Sequence, residues 1–228
     1  PWNSPAILVR KKSGGFRLVI DFRRLNSITQ QINHPLPVIE DVLNNLEKSS
    51  IFSVLDLKKG FHQLEVDENS RAKTAFSTEF GSYQWLRMPM GTRNSPSVFA
   101  RVMDEVLKDI PKSEICCYLD DCLVHSSDND KHFENLRKFF IICSSNNLRL
   151  NANKAVFFSK KVDFLGFEVE SGTIRPSRDR IEAIRNRDYP KNRDEAISLF
   201  GALGSHRRFI ENFAEIADWF ETLAKAEK

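Results

Sequence analysis

The chain has 228 residues, of which 41% are hydrophobic, 11% aromatic and 29% charged. That is enough apolar chain to bury a core in one or two domains, and with nine glycines and no apolar run of about 18 residues it excludes disorder, a collagen repeat and a bilayer-spanning helix. The net charge is only +3, but residues 1–31 (+5) and 71–101 (+4) are basic while 32–70 (−4) and 102–170 (−3) are acidic, as expected of a protein that holds a polyanion with one region and divalent metal with another.

Residues 5–23 predict a hairpin, two apolar runs joined by Ser13-Gly14-Gly15. After the breaker Asn33-His34-Pro35-Leu36-Pro37, a helix starts at Pro37 and carries Ile39, Val42, Leu43 and Leu46 at helical spacing to Ser49. Ile51 to Leu57 is a buried strand containing Asp56. Ala72 to Thr78 and Tyr83 to Met88 form a second hairpin around Gly81, and a helix spans Ser97 to Ile110. Ile115 to Leu119 and Cys122 to Ser126 pair around Asp120-Asp121, and Asp128 opens a third helix through Leu136, Phe139 and Cys143. Strands follow at Leu148–Leu150, Val156–Phe158 and Phe164–Val169, then an Arg-rich helix broken at Pro190 and two further helices from about Asp194. The fold class is α+β, with an antiparallel sheet and helices over residues 1–170 and a helical domain over 173–228. The eighteen phenylalanines are expected to be mostly core. Cys116, Cys117, Cys122 and Cys143 lack CxxC spacing and read as reduced thiols of an intracellular protein. The opening at Pro1 without Met suggests a piece of a longer chain.

Tyr118-Leu119-Asp120-Asp121 places two carboxylates at a hairpin tip, where solvated turn aspartates would look the same. Asp56 changes the balance, because a carboxylate ending a buried strand is costly unless paired or metal-bound. If that strand adjoins the hairpin, Asp56 and Asp120 converge. Such a cluster, with no His or Cys at ligand spacing, suits Mg²⁺. Two such ions would activate a hydroxyl and stabilise the leaving oxygen of a phosphoryl displacement.

These motifs, in order over essentially all 228 residues, resemble the reverse transcriptase of gypsy-like long-terminal-repeat retrotransposons and retroviral Pol polyproteins. PWNSPAILVRKKSGGFRLVIDFRRLN resembles the family's fingers hairpin, LDLKKGFHQL its first carboxylate motif, and MPMGTRNSPSVFARVMD its template-side motif and palm helix. YLDD resembles the metal hairpin, and LRLNANKAVFF, VDFLGFEV and FGALGSHRRFIENFAEIA the lysine strand, primer grip and thumb. The resemblance implies a right-hand polymerase: fingers at 1–30 and 66–89, an antiparallel palm at 31–65 and 90–172, and a helical thumb at 173–228.

It implies further that Asp56, Asp120 and Asp121 bind two Mg²⁺ ions, with Mn²⁺ as a substitute. Lys11 or Lys12 and Arg17 would hold the triphosphate of a dNTP. Phe61 would lie under its sugar, excluding a 2′-hydroxyl, and Met90 would touch the template and nucleotide pocket. Lys154 would be the acid for departing pyrophosphate, and Phe164, Leu165 and Gly166 would grip the primer, with Gly166 permitting a bend. A core ring at Phe61, a solvated lysine at Lys154 and a solvated Arg-rich helix at 178–187 are the plain structural alternatives. The partners implied are an RNA or DNA template–primer duplex and the ribonuclease H, integrase and protease domains of a Pol polyprotein, in a cytoplasmic virus-like particle away from membranes. Met90, Lys59 and Gly204-Ser205-His206 depart from the family pattern. They leave open a degenerate or domesticated module that binds primer–template without polymerising.

Overall fold

The computed structural model describes residues 2–11 and 14–218. β1 (Ala6–Arg10) and β2 (Phe16–Ile20) pair antiparallel from Ala6↔Ile20 to Arg10↔Phe16, as their apolar composition predicts. The chain turns into α1 (Arg23–Ile28) at Asp21, whose carboxylate accepts the Arg23 N–H at 3.0 Å. α2 (Ile39–Asn44) is shorter than its apolar spacing suggests. After it the chain tightens into i→i+3 bonds, such as Ser49 N–H to Leu46 C=O at 3.0 Å, which still bury Leu46. β3 (Ile51–Asp56) is buried along nearly its whole length, and α3 (Glu68–Arg71) is capped by Asp67.

β4 (Phe76–Thr78) and β5 (Gly81–Tyr83) form a much smaller hairpin than expected. Residues 72–74 coil into a 3₁₀ turn, and past Tyr83 the chain leaves β4 to bridge Glu65 through Arg87. α4 (Ser95–Val106) begins two residues earlier than expected, with Pro96 in its first turn. β6 (Ile115–Tyr118), β7 (Asp121–Ser126) and α5 (Asn129–Ser145) follow as expected, and the Asp128 carboxylate caps α5 by accepting the Lys131 N–H at 2.9 Å.

Beyond α5 the expectations need correction. Leu148–Leu150 is no strand; a single bridge joins Leu150 to Leu57. β8 (Val156–Ser159) is present, but Phe164–Val169 is two strands, β9 (Lys161–Phe164) and β10 (Phe167–Glu170). Leu165 and Gly166 turn between them with φ of +52° and +77°. β11 (Thr173–Pro176) was not expected, and it pairs with β10, so this sheet crosses residue 173. α6 (Arg178–Arg185) and α7 (Arg193–Gly204) follow, and residues 213–218 are helical.

The central antiparallel sheet runs β6-β7-β3-β8, and a second runs β11-β10-β9. Apolar residues stand on both faces of β3 and β7. Leu55, Cys122 and Val124 pack with Phe99 and Met103 of α4 and Leu136 and Phe139 of α5. On the other face Phe52 and Leu123 pack with Val42, Leu43 and Leu46 and with Val162, Phe164, Phe167 and Val169 of the second sheet. Burial on both faces explains why β3 reads as a continuous apolar run.

Phe16, Phe80, Phe133, Phe140, Phe157 and Phe158 are exposed, but Phe22, Phe52, Phe76, Phe99, Phe139, Phe164 and Phe167 are buried and Phe61 and Phe209 pack against the core, so most of the described phenylalanines are core. One further expectation fails. Cys117 and Cys122 are joined by a disulfide rather than reduced: the tight turn between them sets the two directly opposite, with Cα atoms 4.1 Å apart. Cys116 and Cys143 are free, and burial pushes their thiols up to about 12 and about 11.

A buried polar layer lies between α5 and the sheet. His125 shares a hydrogen bond with Ser49 (2.8 Å), and His132 bonds Ser53 (2.7 Å) and Ser126 (3.2 Å). Burial pushes both imidazoles down, His125 to about 4, against Glu114 and the Lys112 carbonyl, which pull it up. A lowered folded-state value holds the ring neutral, so this stability is complete above the ordinary value of 6.5 and drains as pH falls towards 4. The span is worth about 3 kcal/mol for His125. Urea midpoints at pH 7.5 and 4.5 should therefore fall apart further for wild type than for His125→Gln, a difference that cancels the carboxylate contributions.

Candidate active site

Three elements build the site. β3 delivers Asp56 at its carboxyl end, in register with Asp121 at the start of β7. The β6–β7 turn consists of Leu119 and Asp120, and its backbone is held to β3 by the Leu57 N–H donating to the Asp120 carbonyl at 2.9 Å. Leu119 has φ +54°, a left-handed conformation costing a non-glycine residue about 1–2 kcal/mol, and its side chain is anchored against the core. Strain of this kind persists only where packing enforces it.

β3 does adjoin the hairpin, and Asp56, Asp120 and Asp121 lie close enough to feel one another's charge. Burial, then the charges of Asp56 and Asp121, push the Asp120 carboxyl up to about 6, with Lys154 opposing. Asp121 is raised for the same reasons, burial first and Asp56 next. Asp56 is the compensated member: its Oδ2 accepts from Asn151 Nδ2 at 3.1 Å and faces Lys154 Nζ at 3.4 Å. Lys154 therefore stands beside Asp56.

Among the described residues no three Asp, Glu, His or Cys side chains stand close enough to ligate one ion. The donor set nevertheless fits a hard divalent cation. All the candidate donors are carboxylate oxygens, and Asp120 Oδ1 is buried with no hydrogen-bond partner, a costly condition that a cation would relieve.

Three contributors escaped the sequence reading. Gly60 is buried against Asp120: a Cβ built on it would lie 2.6 Å from Asp120 Cγ and 3.2 Å from Oδ2, with Oδ1 closer still. Its place four residues after Asp56 was the available signal. Gln63 ties the post-β3 turn to the neighbouring segment, donating to the Lys58 and Arg149 carbonyls at 2.9 Å and accepting the Arg149 N–H at 2.7 Å. Asn151 carried no signal beyond lying in the expected lysine stretch.

The remaining candidates are spread wider. Phe61 follows Gly60 and its ring centroid is 5.2 Å from that of Phe99, so it is partly core. Arg17 is exposed on β2 opposite Val9, and the exposed Lys11 closes the hairpin with its N–H on the Gly15 carbonyl. Lys12 lies outside the described residues. Met90 is exposed on the loop before α4, beside Gly91, whose carbonyl accepts from Asn26. Phe164 is buried, and Leu165 and Gly166 form the β9–β10 turn on the core face opposite α5. No contact among the described residues joins Lys11, Arg17 or Met90 to the carboxylates.

The antiparallel sheet, flanked by helices, thus gathers aspartates at one strand end and its adjoining hairpin. Residues 9–169 match the family described as reverse transcriptase (RNA-dependent DNA polymerase), and the chain belongs to it. It is 39% identical over 222 residues to the retrovirus-related Pol polyprotein from transposon 297 of Drosophila melanogaster, covering 95% of this chain and 21% of that protein. The corresponding polyprotein from transposon gypsy of the same organism is 35% identical over 234 residues, covering 100% and 22%. The chain thus spans about a fifth of the length of these relatives. Among solved structures, the foamy viral protease–reverse transcriptase dRH in complex with double-stranded DNA superimposes with a TM-score of 0.89 at 28% identity, covering 99% of this chain and 40% of that one. The foamy viral protease–reverse transcriptase in complex with an RNA/DNA hybrid gives 0.83 at 28% identity, covering 99% and 30%. The right-hand α+β fold read from the sequence agrees with both. Among the described residues no helix is long and apolar enough to cross a membrane.

Proposed function

We propose that the chain is the polymerase core of a retrotransposon Pol polyprotein, extending a primer on an RNA or DNA template. The observation that carries the proposal is the unpartnered, half-buried carboxylate of Asp120 beside Asp56 and Asp121, in a chain of this family. In this reading residues 1–30 and 66–89 are fingers, 31–65 and 90–172 palm, and 173–228 thumb. Two divalent ions, Mg²⁺ with Mn²⁺ as a substitute, supply charge neutralisation and hydroxyl activation when bound. Asp56, Asp120 and Asp121 hold them. Lys11 or Lys12 and the fork of Arg17 grip the triphosphate of the dNTP, Lys154 offers a proton to departing pyrophosphate, and Met90 borders the template. The Phe164–Gly166 turn holds the primer terminus. The other Pol domains, ribonuclease H, integrase and protease, and a cytoplasmic virus-like particle complete the setting.

Primer extension on poly(rA)–oligo(dT) with Mg²⁺ tests this, with duplex binding measured in parallel. Extension by wild type supports the polymerase; tight binding without extension overturns it in favour of a primer–template-binding module.

Phe61 separates a sugar gate from a core ring. Phe61→Val should raise ribonucleotide incorporation on the order of 10–100-fold while Phe61→Tyr keeps discrimination, because a ring wall excludes the 2′-oxygen by bulk. The loss of the Phe99 contact should also cost about 2–4 kcal/mol in a melting experiment. Destabilisation with unchanged sugar choice, read by single-nucleotide incorporation, would leave Phe61 a core residue only.

A further inference from the structure

The β9–β10 turn is covered by a side chain that the functional reading leaves unused. The N–H of Ser177, just before α6, donates to the Gly166 carbonyl at 3.0 Å, so the start of α6 is fastened to the turn. From there Arg180 reaches back across it. Its guanidinium carbon is 5.6 Å from the centroid of the Phe167 ring, and a Cβ built on Gly166 would lie 2.6 Å from Nη2 and closer still to Nε and Cζ. Gly166 thus serves twice, once for its φ of +77° and once because any larger residue would occupy the place of the guanidinium.

Arg180 is nevertheless exposed, and among the described residues its side chain makes no ion pair and no hydrogen bond. Glu168, which follows Phe167 in the chain, pairs with Lys161 at 2.7 Å. A guanidinium with one face on a ring and one edge on backbone has already lost much of its rotamer freedom, while its donors still face water. An arginine usually meets that entropy cost only on binding its ligand. Its planar fork matches a phosphate with two parallel hydrogen bonds. We propose that Arg180 is a phosphate-binding residue that takes one backbone phosphate of the primer strand near its 3′ end. This rests on the reading of Phe164–Gly166 as the primer-holding turn.

The test uses the full chain and a primer–template duplex, with affinity measured by fluorescence anisotropy across a salt series. Arg180→Gln should weaken binding about 10-fold and flatten the log–log salt slope by about 1, as expected for one lost phosphate contact. Arg180→Lys should keep the slope and recover only part of the affinity. Primers carrying a single uncharged methylphosphonate at each of the last six linkages then locate the contact. At one position wild type and Arg180→Gln should bind equally, and at the others the difference should persist.

A loss of affinity that persists at every primer position, with an unchanged slope and a lowered melting temperature, makes Arg180 a structural latch and overturns the proposal. Cancellation by a methylphosphonate in the template instead also overturns it. Wild-type protein that fails to bind the duplex at all removes the primer reading itself, whereas wild-type binding with an indifferent Arg180→Gln removes only Arg180.

Discussion

Asp120→Asn should abolish primer extension, by on the order of 10³-fold or more, and at the same time make the metal-free protein melt at a higher temperature. The first effect follows from the proposed role of this carboxylate in holding divalent metal, whose loss would cost several kcal/mol in the transition state. The second follows from the resting site, where the Asp120 carboxylate is half-buried, has an unpartnered oxygen and faces two like charges. Its carboxyl is raised from 3.8 to about 6, so its contribution to stability is present below 3.8 and lost as pH rises through about 6. At pH 7.5 the fold therefore carries a penalty of at most about 3 kcal/mol, cut to about 1 by the water reaching the cleft. The isosteric amide removes it, a gain of about 2–4 °C that vanishes near pH 4. Asp56→Asn should be equally inactive but melt lower, since it strands Lys154 and weakens the Asn151 hydrogen bond. Calorimetric melts of the two variants without metal read this opposition. Two equal decreases would show that Asp120 is not held against its own preference.

Gly60→Ala should lose about 100-fold in extension rate with little change in stability. The backbone at Gly60 is not in the left-handed region, so alanine is locally acceptable. Its methyl group, however, would stand 2.6 Å from Asp120 Cγ, forcing the carboxylate to turn or the segment after β3 to retreat by about 1 Å. Misplacement on that scale is what costs about two orders of magnitude. The readout independent of turnover is the rise in melting temperature on adding Mg²⁺, which should shrink in the variant. Wild-type extension together with an undiminished Mg²⁺ response would show that Asp120 has room to spare.

The carboxylates were legible because they combine an unusual cost, a charge ending a buried strand, with a hairpin of recognisable length. β3, β6, β7 and α5 were legible because apolar runs and an Asp cap speak for themselves. The failures share a cause. The division of 164–169 into two strands depends on Leu165 adopting a left-handed backbone, which leucine avoids unless packing compels it. β11 is four residues, too short for its alternation to stand out, and it is paired along the edge of β10. Gly60 and Asn151 act through contacts with residues 60 and 95 positions away, and sequence spacing carries no trace of such distances.

The β1–β2 hairpin has a consequence for how the molecule comes apart. It makes its own ladder of hydrogen bonds but, among the described residues, meets the remainder through a small cluster of Ile20, Phe22 and Phe76, with Ala6, Leu25 and Trp85 against it, and a bridge from Ser4 to Phe76. β3 and β7, by contrast, hold residues with no exposure at all, Phe52, Leu123 and Val124 among them. Backbone amides in the hairpin can thus reach water by a local opening, whereas those of β3 and β7 must wait for much larger excursions. Arg17 and Lys11 ride on the first kind of structure and Asp56 and Asp121 on the second. As denaturant rises, the hairpin that carries Arg17 and Lys11 loosens while the carboxylate frame is still standing, so the proposed triphosphate contacts would be lost before the carboxylate geometry.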